Sequence, residues 1–268
     1  MPADRLDPWN LSGLQALLAP LDHQAQVEHV SDIDSTNTEL MRRARAGDTR
    51  SFLLLADAQS AGRGRLGRQW HSRPGDALLM SLGVTLAPQH WSGLSLAVGC
   101  CLADALDPTL DKGIGLKWPN DLMLTPWDKP RKLGGILIET VLRQGDVARF
   151  TVLGIGLNLA TPPAADYRTE PAGLRELLDP QTTAHDLLLK ILPGLVQGLN
   201  RFCANGFASF TNEFARRDVL LGKPLQLSDG NRGRAAGVDA QGVLWLDSDN
   251  GRIPVSSDEV RIADAGPA

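Results

Sequence analysis

A buried strand that runs directly into a loop of alternating glycine and arginine constrains this chain more than any other feature of its sequence. Residues 52–55 form a continuous apolar run, FLLL, which is typical of a strand covered on both faces. The segment from Gln59 to Trp70 reads QSAGRGRLGRQW. Its arginines stand between glycines, whose backbone can adopt positive φ angles. This pattern predicts an anion-binding loop at the end of a buried strand.

The three glycines of this loop also match G-x-G-x-x-G, the fingerprint of dinucleotide-binding sites. That fingerprint requires the glycines to open a helix, but residues 69–76 contain Pro74 and Gly75 and lack helical periodicity. We therefore expect the arginine side chains to bind the anion. Taken alone, an arginine-rich stretch of this kind is more often a solvated basic loop.

The overall charge limits the kind of anion. The chain of 268 residues has a formal net charge of −4 and a pI near 5.7, so the basic loop is a local site on an acidic protein, which favours a small ligand over nucleic acid. No apolar stretch approaches the roughly 20 residues of a membrane span, and the N-terminus lacks the pattern of a signal peptide. We expect a cytoplasmic protein with no membrane partner.

The segment Asp34-Ser35-Thr36-Asn37-Thr38-Glu39 follows a predicted strand and predicts the start of a helix that ends near Ala46. Thr36 and Glu39 have the spacing of a capping box. The free N–H groups at this helix start, the Ser35 and Thr36 hydroxyls and the Asn37 amide could also satisfy a polar ligand edge. A helix cap and a ligand site are both consistent with this segment.

Two further segments combine a lysine with polar or glycine residues. KWPND, residues 117–121, reads as a strand kinked at Pro119, which would present Lys117, Asn120 and Asp121 together. KLGGILIE, residues 132–139, and GIGLN, residues 154–158, are strands whose glycines permit close approach of a ligand.

The secondary-structure pattern predicts an α+β fold with a mixed, largely antiparallel sheet and flanking helices. Short turns between successive strands indicate an antiparallel meander, and residues 183–214 read as helices broken at Pro193 and Gly206. From Gly222 onward, short β-patterned runs are separated by Asp-Gly, Gln-Gly and Asn-Gly turns. We predict one domain over residues 1–217 and a small β-barrel over residues 218–268.

Cations and glycines that recur on neighbouring strands predict a polyanionic ligand. A nucleoside triphosphate together with a carboxylate substrate fits this pattern, because the two repel each other and need cations between them. The reaction that joins them is adenylation.

The motifs GRGRLGRQW, KWPNDL, KLGGILIE and GIGLNL resemble those of the bacterial biotin protein ligases, in the family's order, from Asp34 to Asn158. The resemblance implies a class II synthetase-like biotin/lipoyl ligase domain followed by an SH3-like barrel. It also implies a two-step reaction, in which biotin and ATP form biotinyl-5′-adenylate, with Mg²⁺, and biotin then passes to a lysine of a biotin carboxyl carrier protein.

The resemblance also assigns residues to roles. Biotin would be bound by Ser35, Thr36, Asn37, Gln59, Arg63, Gly64, Arg65, Lys132, Gly135 and Gly156. ATP would be bound by Arg65, Arg68, Trp70, Lys117, Asn120, Asp121, Lys132 and Asn158, with Trp70 and Asn158 at the adenine. Catalysis would rest on Lys132, Arg65, Arg63 and Asp121, and no protein residue is assigned to a metal.

One departure from the family concerns the N-terminus. Some members carry an N-terminal DNA-binding domain, and the roughly thirty residues before Ile33 are too few for one, so we expect a monofunctional ligase without a DNA partner. A homodimer is left open. A lipoate-type ligase and a non-catalytic biotin- or nucleotide-binding protein are the alternatives.

The basic loop is expected to move. Its glycines and exposed arginines give residues 62–70 little apolar anchoring, so we expect them to close over the adenylate, with Leu66 turned inward. Arg63 and Arg65 lie two residues apart, so in an extended segment both side chains would point to the same face, where one would meet the biotin end of the ligand and the other the phosphate.

Overall fold

Most of the chain is built on a seven-stranded mixed sheet. The computed structural model describes residues 9–126, 129–141, 148–163, 165, 167–249, 251–256 and 260–263. The strands are β1 (Gln26–Ile33), β2 (Phe52–Gln59), β3 (Ala77–Leu86), β4 (Ile114–Lys117), β5 (Asp121–Leu124), β6 (Arg131–Val141) and β7 (Arg149–Asn158). Their order is β1-β2-β3-β7-β6-β5-β4, with β1 and β2 parallel and the other pairs antiparallel.

The sheet confirms the mixed, largely antiparallel prediction, but a simple meander is wrong in two places. A helix connects β1 to β2, which makes that pair parallel, and β7 inserts between β3 and β6. Strand β3 pairs with β7 over its whole length, from Ala77 to Leu86. Local turn chemistry did not reveal this long-range pairing, because it reports only on neighbours in the chain.

Helices cover both faces of the sheet. They are α1 (Leu11–Leu18), α2 (Thr36–Arg45), α3 (Leu94–Leu106), α4 (Ala184–Asn205) and α5 (Thr211–Ala215). In β2, Leu53 and Leu55 join the large core beneath α3 and α4, while Phe52 and Leu54 pack with Leu40 of α2 on the other face. The apolar run is therefore covered on both faces, as its composition predicts.

The predicted helix break at Pro193 is wrong. Helix α4 runs through Pro193 and ends before Gly206, whose φ angle is 64°. Proline removes one helical hydrogen bond, but Leu192 and Leu195 beside it are fully buried. Tertiary packing of this apolar face offsets the loss.

The predicted kink in KWPND is instead a tight turn. Strands β4 and β5 form an antiparallel hairpin in which Lys117 pairs with Asp121, and the peptide bond between Trp118 and Pro119 is cis. Proline cannot donate to the ladder, so the strand ends at the turn. The predicted consequence holds, because Lys117, Asn120 and Asp121 lie together.

A second, five-stranded antiparallel sheet follows at the C-terminus. It consists of β8 (Pro224–Gln226), β9 (Arg232–Val238), β10 (Leu244–Ser248), β11 (Gly251–Val255) and β12 (Arg261–Ile262), in the order β11-β10-β9-β8-β12. Gly230 and Gly242 have φ angles of 90° and 79° at the predicted Asp-Gly and Gln-Gly turns; Asn250 of the Asn-Gly turn lies outside the described residues.

The two sheets are in direct contact. The Trp118 indole N–H donates to the carbonyl of Gly242 over 3.1 Å, and the N–H of Val219, in the segment that leads into the second sheet, donates to the carbonyl of Leu116 over 3.0 Å. One hydrophobic core includes residues of both parts. The division between residues 217 and 218 stays a prediction. Among the described residues, no helix is long and apolar enough to cross a membrane.

Candidate active site

A cavity of about 690 Å³ brings together all the residues that the sequence assigned to ligand binding or catalysis. Strands β2, β5, β6 and β7, the start of α2 and the basic loop contribute to its wall. The sixteen residues are Ser35, Thr36, Asn37, Gln59, Arg63, Gly64, Arg65, Arg68, Trp70, Lys117, Asn120, Asp121, Lys132, Gly135, Gly156 and Asn158. Residues from distant parts of the sequence therefore share one site.

The start of α2 forms one end of the cavity. Ser35 is the N-cap, and its hydroxyl accepts the N–H of Thr38 over 3.3 Å. The predicted Thr36 cap is wrong, since Thr36 is already helical. Its N–H and its hydroxyl instead donate to Oε1 of Gln59, over 2.8 and 3.2 Å. The first turn is thus tied to the end of β2.

A buried polar network holds this end in place. The Ser81 hydroxyl, 0% exposed, lies 2.7 Å from both Thr36 Oγ1 and Asn37 Oδ1. The amide nitrogen of Asn37 donates to Glu139 Oε2 over 3.0 Å and to the carbonyl of Leu137 over 3.3 Å. A buried network in which every group has a partner is rigid. Both amide N–H groups of Asn37 are therefore engaged by the protein.

Sequence reasoning missed Ser81 and Glu139. Ser81 is the polar residue within the apolar run LLMSLG of β3, and a buried hydroxyl needs a hydrogen-bond partner. The sequence alone therefore indicates that Ser81 has a hydrogen-bond partner, but it does not identify which residue that partner is. Glu139 ends the KLGGILIE motif, and nothing in its local pattern sets it apart from a solvated strand residue.

The other end of the cavity is cationic. Lys132 Nζ lies 2.7 Å from Asp121 Oδ1 and 5.9 Å from the ring centre of Trp70. Burial lowers the pKa of Lys117 from its usual value; nearby Lys132 lowers it further, and Asp121 opposes this shift. Two ammonium groups thus lie beside one carboxylate. An anionic ligand is attracted to such a site.

Trp70 lies flat against a glycine strand. A Cβ atom at Gly156 would approach Trp70 Cε2 to 2.8 Å, so glycine is needed for the ring to take this position. The indole Nε1 is buried and has no hydrogen-bond partner in the described part of the chain. An unsatisfied buried donor is uncommon, and a ligand acceptor would satisfy it.

The basic loop, residues 62–70, folds back on itself. The N–H of Trp70 donates to the Gly62 carbonyl and that of Gly64 to the Arg68 carbonyl, each over 2.8 Å. Leu66 has a φ angle of 56° and is 73% exposed, so it is not turned inward here. Closure of the loop over a ligand stays a prediction.

The two arginines of the loop reach different walls of the cavity. Arg63 Nη1 lies 3.5 Å from Glu139 Oε1, near the α2 end. Arg65 Nη1 lies 3.5 Å from Asn120 Oδ1, near the cationic end. This separation agrees with the expectation that the two side chains serve opposite ends of one ligand.

The predicted residue Asn158 fixes a further part of the cavity wall. Asn158 donates from its amide to the carbonyls of Lys132 and Ala172, over 3.3 and 3.2 Å, which ties β7 to the segment that follows it. Tyr167 and Arg168 of that segment line the cavity, and so does Arg261 from the C-terminal sheet. Sequence reasoning missed Tyr167, Arg168 and Arg261, and none of these three lies in a glycine- or lysine-rich motif.

The fold and the cavity define a biotin/lipoate ligase-type protein, and comparisons with known proteins agree. The model of the biotin/lipoate A/B protein ligase family matches residues 31–158. The chain is 32% identical to the bifunctional ligase/repressor BirA of Escherichia coli, over 97% of this chain and 80% of that protein. It is also 32% identical to the biotin–[acetyl-CoA-carboxylase] ligase of Mycobacterium tuberculosis, over 88% of each.

A solved structure has the same fold. The biotin protein ligase of Aquifex aeolicus in complex with biotin and ATP matches with a TM-score of 0.73 and 25% identity, over 88% of this chain and 99% of that one. The chain belongs to the biotin/lipoate A/B protein ligase family and, within it, to the biotin protein ligases.

Proposed function

We propose that the chain uses ATP to activate biotin as biotinyl-5′-adenylate and transfers the biotinyl group to a lysine of a biotin carboxyl carrier protein. The observation that carries this proposal is the Lys132–Asp121 pair beside Lys117, in the same cavity as the polar network of α2. One end of the cavity suits phosphates and the other suits a neutral polar ring. The ligand-bound relative from Aquifex aeolicus holds biotin and ATP together.

The α2 end is suited to the ureido group of biotin. Oε1 of Gln59 is occupied by Thr36, which orients the amide nitrogen of Gln59 as a donor. The Ser35 hydroxyl lines the same wall and can both donate and accept. We assign Ser35, Thr36 and Gln59 to direct ureido contacts and Asn37 to holding them in place.

The cationic end is suited to adenylation. A carboxylate oxygen of biotin attacks the α-phosphorus, and the bond to the bridging oxygen breaks to release pyrophosphate. Both reactants are anionic, and we assign the Lys132 ammonium to the charge that develops as the new bond forms. Preorganised charges of this kind stabilise the transition state more than the ground state. We assign Lys132, Lys117 and Arg65 to the phosphates.

The second step uses the mixed anhydride. The neutral amine of the carrier lysine attacks the acyl carbon, AMP leaves, and the nitrogen loses a proton. Asp121 Oδ1 lies 2.7 Å from Lys132 Nζ, so a carboxylate lies beside the ammonium that we assign to the phosphates. We propose that Asp121 aligns Lys132 in the first step and is close to the incoming amine in the second.

Magnesium would enter with ATP. Mg²⁺ is commonly held by one or two carboxylates together with substrate phosphates, and Asp121 supplies such a carboxylate. Among the described residues, no group of three or more His, Cys, Asp or Glu side chains is arranged to hold a metal. Mg²⁺ would neutralise phosphate charge, while the chain's own cations orient the reactants.

Biotin-dependent exchange of pyrophosphate into ATP tests the proposal. We expect exchange with biotin, no exchange with lipoate, and loss of exchange in Lys132→Ala. Transfer is tested separately by adding a biotin carboxyl carrier domain with and without its acceptor lysine. Exchange that proceeds equally with lipoate would assign the chain to the lipoate branch, and binding of biotin without exchange would indicate a passive binder.

A further inference from the structure

Glu139 lies behind the cavity wall, where it joins the basic loop to the α2 end of the site. We propose that Glu139 is a positioning residue that holds the basic loop over the biotin end of the cavity through Arg63, and that it thereby sets how long the adenylate is retained. This inference rests on the proposed function. Glu139 is the last residue of the KLGGILIE motif, but the family resemblance assigns no ligand contact to its side chain.

The two oxygens of the Glu139 carboxylate contact two different elements. Oε2 accepts the amide N–H of Asn37 in α2 over 3.0 Å, and Oε1 lies 3.5 Å from Arg63 Nη1 in the loop. The side chain of Glu139 is 21% exposed and that of Arg63 is 48% exposed. Glu139 itself is fixed in β6, where it pairs with Val152 of β7. A rigid strand thus carries a carboxylate that meets a loop with little apolar anchoring.

The contact continues into the ureido end of the site. From Asn37, hydrogen bonds lead through Ser81 to Thr36 and then to Gln59. Arg63 is therefore connected to the proposed ureido-binding groups through Glu139. Because these groups form one rigid polar network, a ligand bound at Thr36 and Gln59 lies against the same network that holds the acceptor of Arg63.

The variant Glu139→Gln separates the two contacts. A glutamine oxygen still accepts the Asn37 N–H, but the charge that attracts Arg63 is lost. A partly exposed ion pair contributes up to about 1 kcal/mol, which is about a fivefold change in an equilibrium. We therefore expect hydrogen exchange across residues 62–70 of the ligand-free protein to rise about twofold to fivefold, and dissociation of preformed biotinyl-adenylate to accelerate by a similar factor.

Two further proteins complete the experiment. Glu28→Gln removes a carboxylate that pairs with Arg43 over 2.7 Å, away from the cavity, and we expect it to leave both readouts at wild-type values. In an Arg63→Gln background, Glu139→Gln should have little additional effect, because residues that act through one contact are not additive. High salt should reduce the difference between wild type and Glu139→Gln, since it screens the pair.

The inference would be overturned if hydrogen exchange across residues 62–70 were unchanged in Glu139→Gln. It would also be overturned if the effects of Glu139→Gln and Arg63→Gln multiplied in the double variant. If a lower free energy of unfolding of Glu139→Gln explained the faster hydrogen exchange, Glu139 would have a purely structural role, and the inference would also be overturned. The exchange readout requires no substrate. A wild-type protein that forms no adenylate would instead refute the proposed function, so the two failures are distinguishable.

Discussion

Lys132 Nζ contacts Asp121 Oδ1 over 2.7 Å, although these two residues are not paired in the sheet. The register between β5 and β6 shifts at Leu122 and Met123, so that Gly135 pairs with Asp121 and Lys132 with Met123. A Cβ atom at Gly135 would lie 3.4 Å from Lys132 Nζ. The lysine side chain therefore passes over Gly135 to reach Asp121. A β-bulge re-aims a side chain in this way at many functional sites.

Replacing Lys132 by alanine should remove most of the adenylation activity and leave biotin binding measurable. The ammonium stabilises charge that develops in the transition state, so we expect the single-turnover rate of adenylate formation to fall roughly a hundredfold or more. Lys190→Ala, which removes an exposed lysine from α4, is the matched control. An unchanged rate in Lys132→Ala would show that the assigned role is wrong.

Replacing Arg65 by alanine should let biotinyl-adenylate escape. Arg65 reaches from the loop to Asn120, and a reactive anhydride that is no longer held is released before the carrier arrives. Incubation with biotin, ATP and an unrelated lysine-rich protein should biotinylate that bystander more than wild type does. Arg50→Ala, which breaks a surface pair with Asp48, is the control. If the Arg65→Ala variant biotinylated the bystander no more than wild type does, the role of Arg65 in retaining the adenylate would be refuted.

Replacing Gly156 by alanine should weaken ATP binding without unfolding the protein. The new methyl group would lie 2.8 Å from Trp70 Cε2, so the indole must leave its place. Loss of an aromatic platform for the adenine should raise the KM for ATP about tenfold, as expected for base–aromatic stacking. In Gly194→Ala, the nearest atom to the new methyl is 3.8 Å away, and we expect wild-type kinetics.

Asp218 predicts a pH dependence of stability. It lies at the junction of the two sheets, is 8% exposed, and accepts the N–H of Leu220 over 2.8 Å. Burial raises its pKa to about 6, above its value in the unfolded chain. The folded state therefore binds the proton more tightly, and this contribution to stability is complete below pH ~4 and is lost as the pH rises through 6.

Asp218→Asn keeps the acceptor and removes the buried charge. At pH 8, its free energy of unfolding should exceed that of wild type by about 3 kcal/mol, and the difference should become small near pH 4. Denaturant titrations at the two pH values measure this, with exposed Asp249→Asn as the control. A constant difference at both pH values would contradict the titration of Asp218.

The site was predictable because its residues lie in motifs with a local physical meaning. Glycines beside arginines or lysines mark places where backbone and cation approach an anion, and the sixteen assigned residues share one cavity. The side chains of Arg63 and Arg65 reach different ends of the cavity, and which end of a ligand each one serves stays a prediction. The roles of Ser81 and Glu139 were not predictable. Both side chains contact Asn37, which lies 44 residues from Ser81 and 102 residues from Glu139 in the sequence.

The sequence by itself determined the strands and helices, because periodicity and turn chemistry act between neighbours in the chain. It also determined that β2 is covered on both faces. Tertiary structure decided the position of β7 between β3 and β6, the continuity of α4 through Pro193, and the docking of the C-terminal sheet against Leu116 and Trp118. These features depend on which distant apolar surfaces bury one another, and no local pattern specifies that choice.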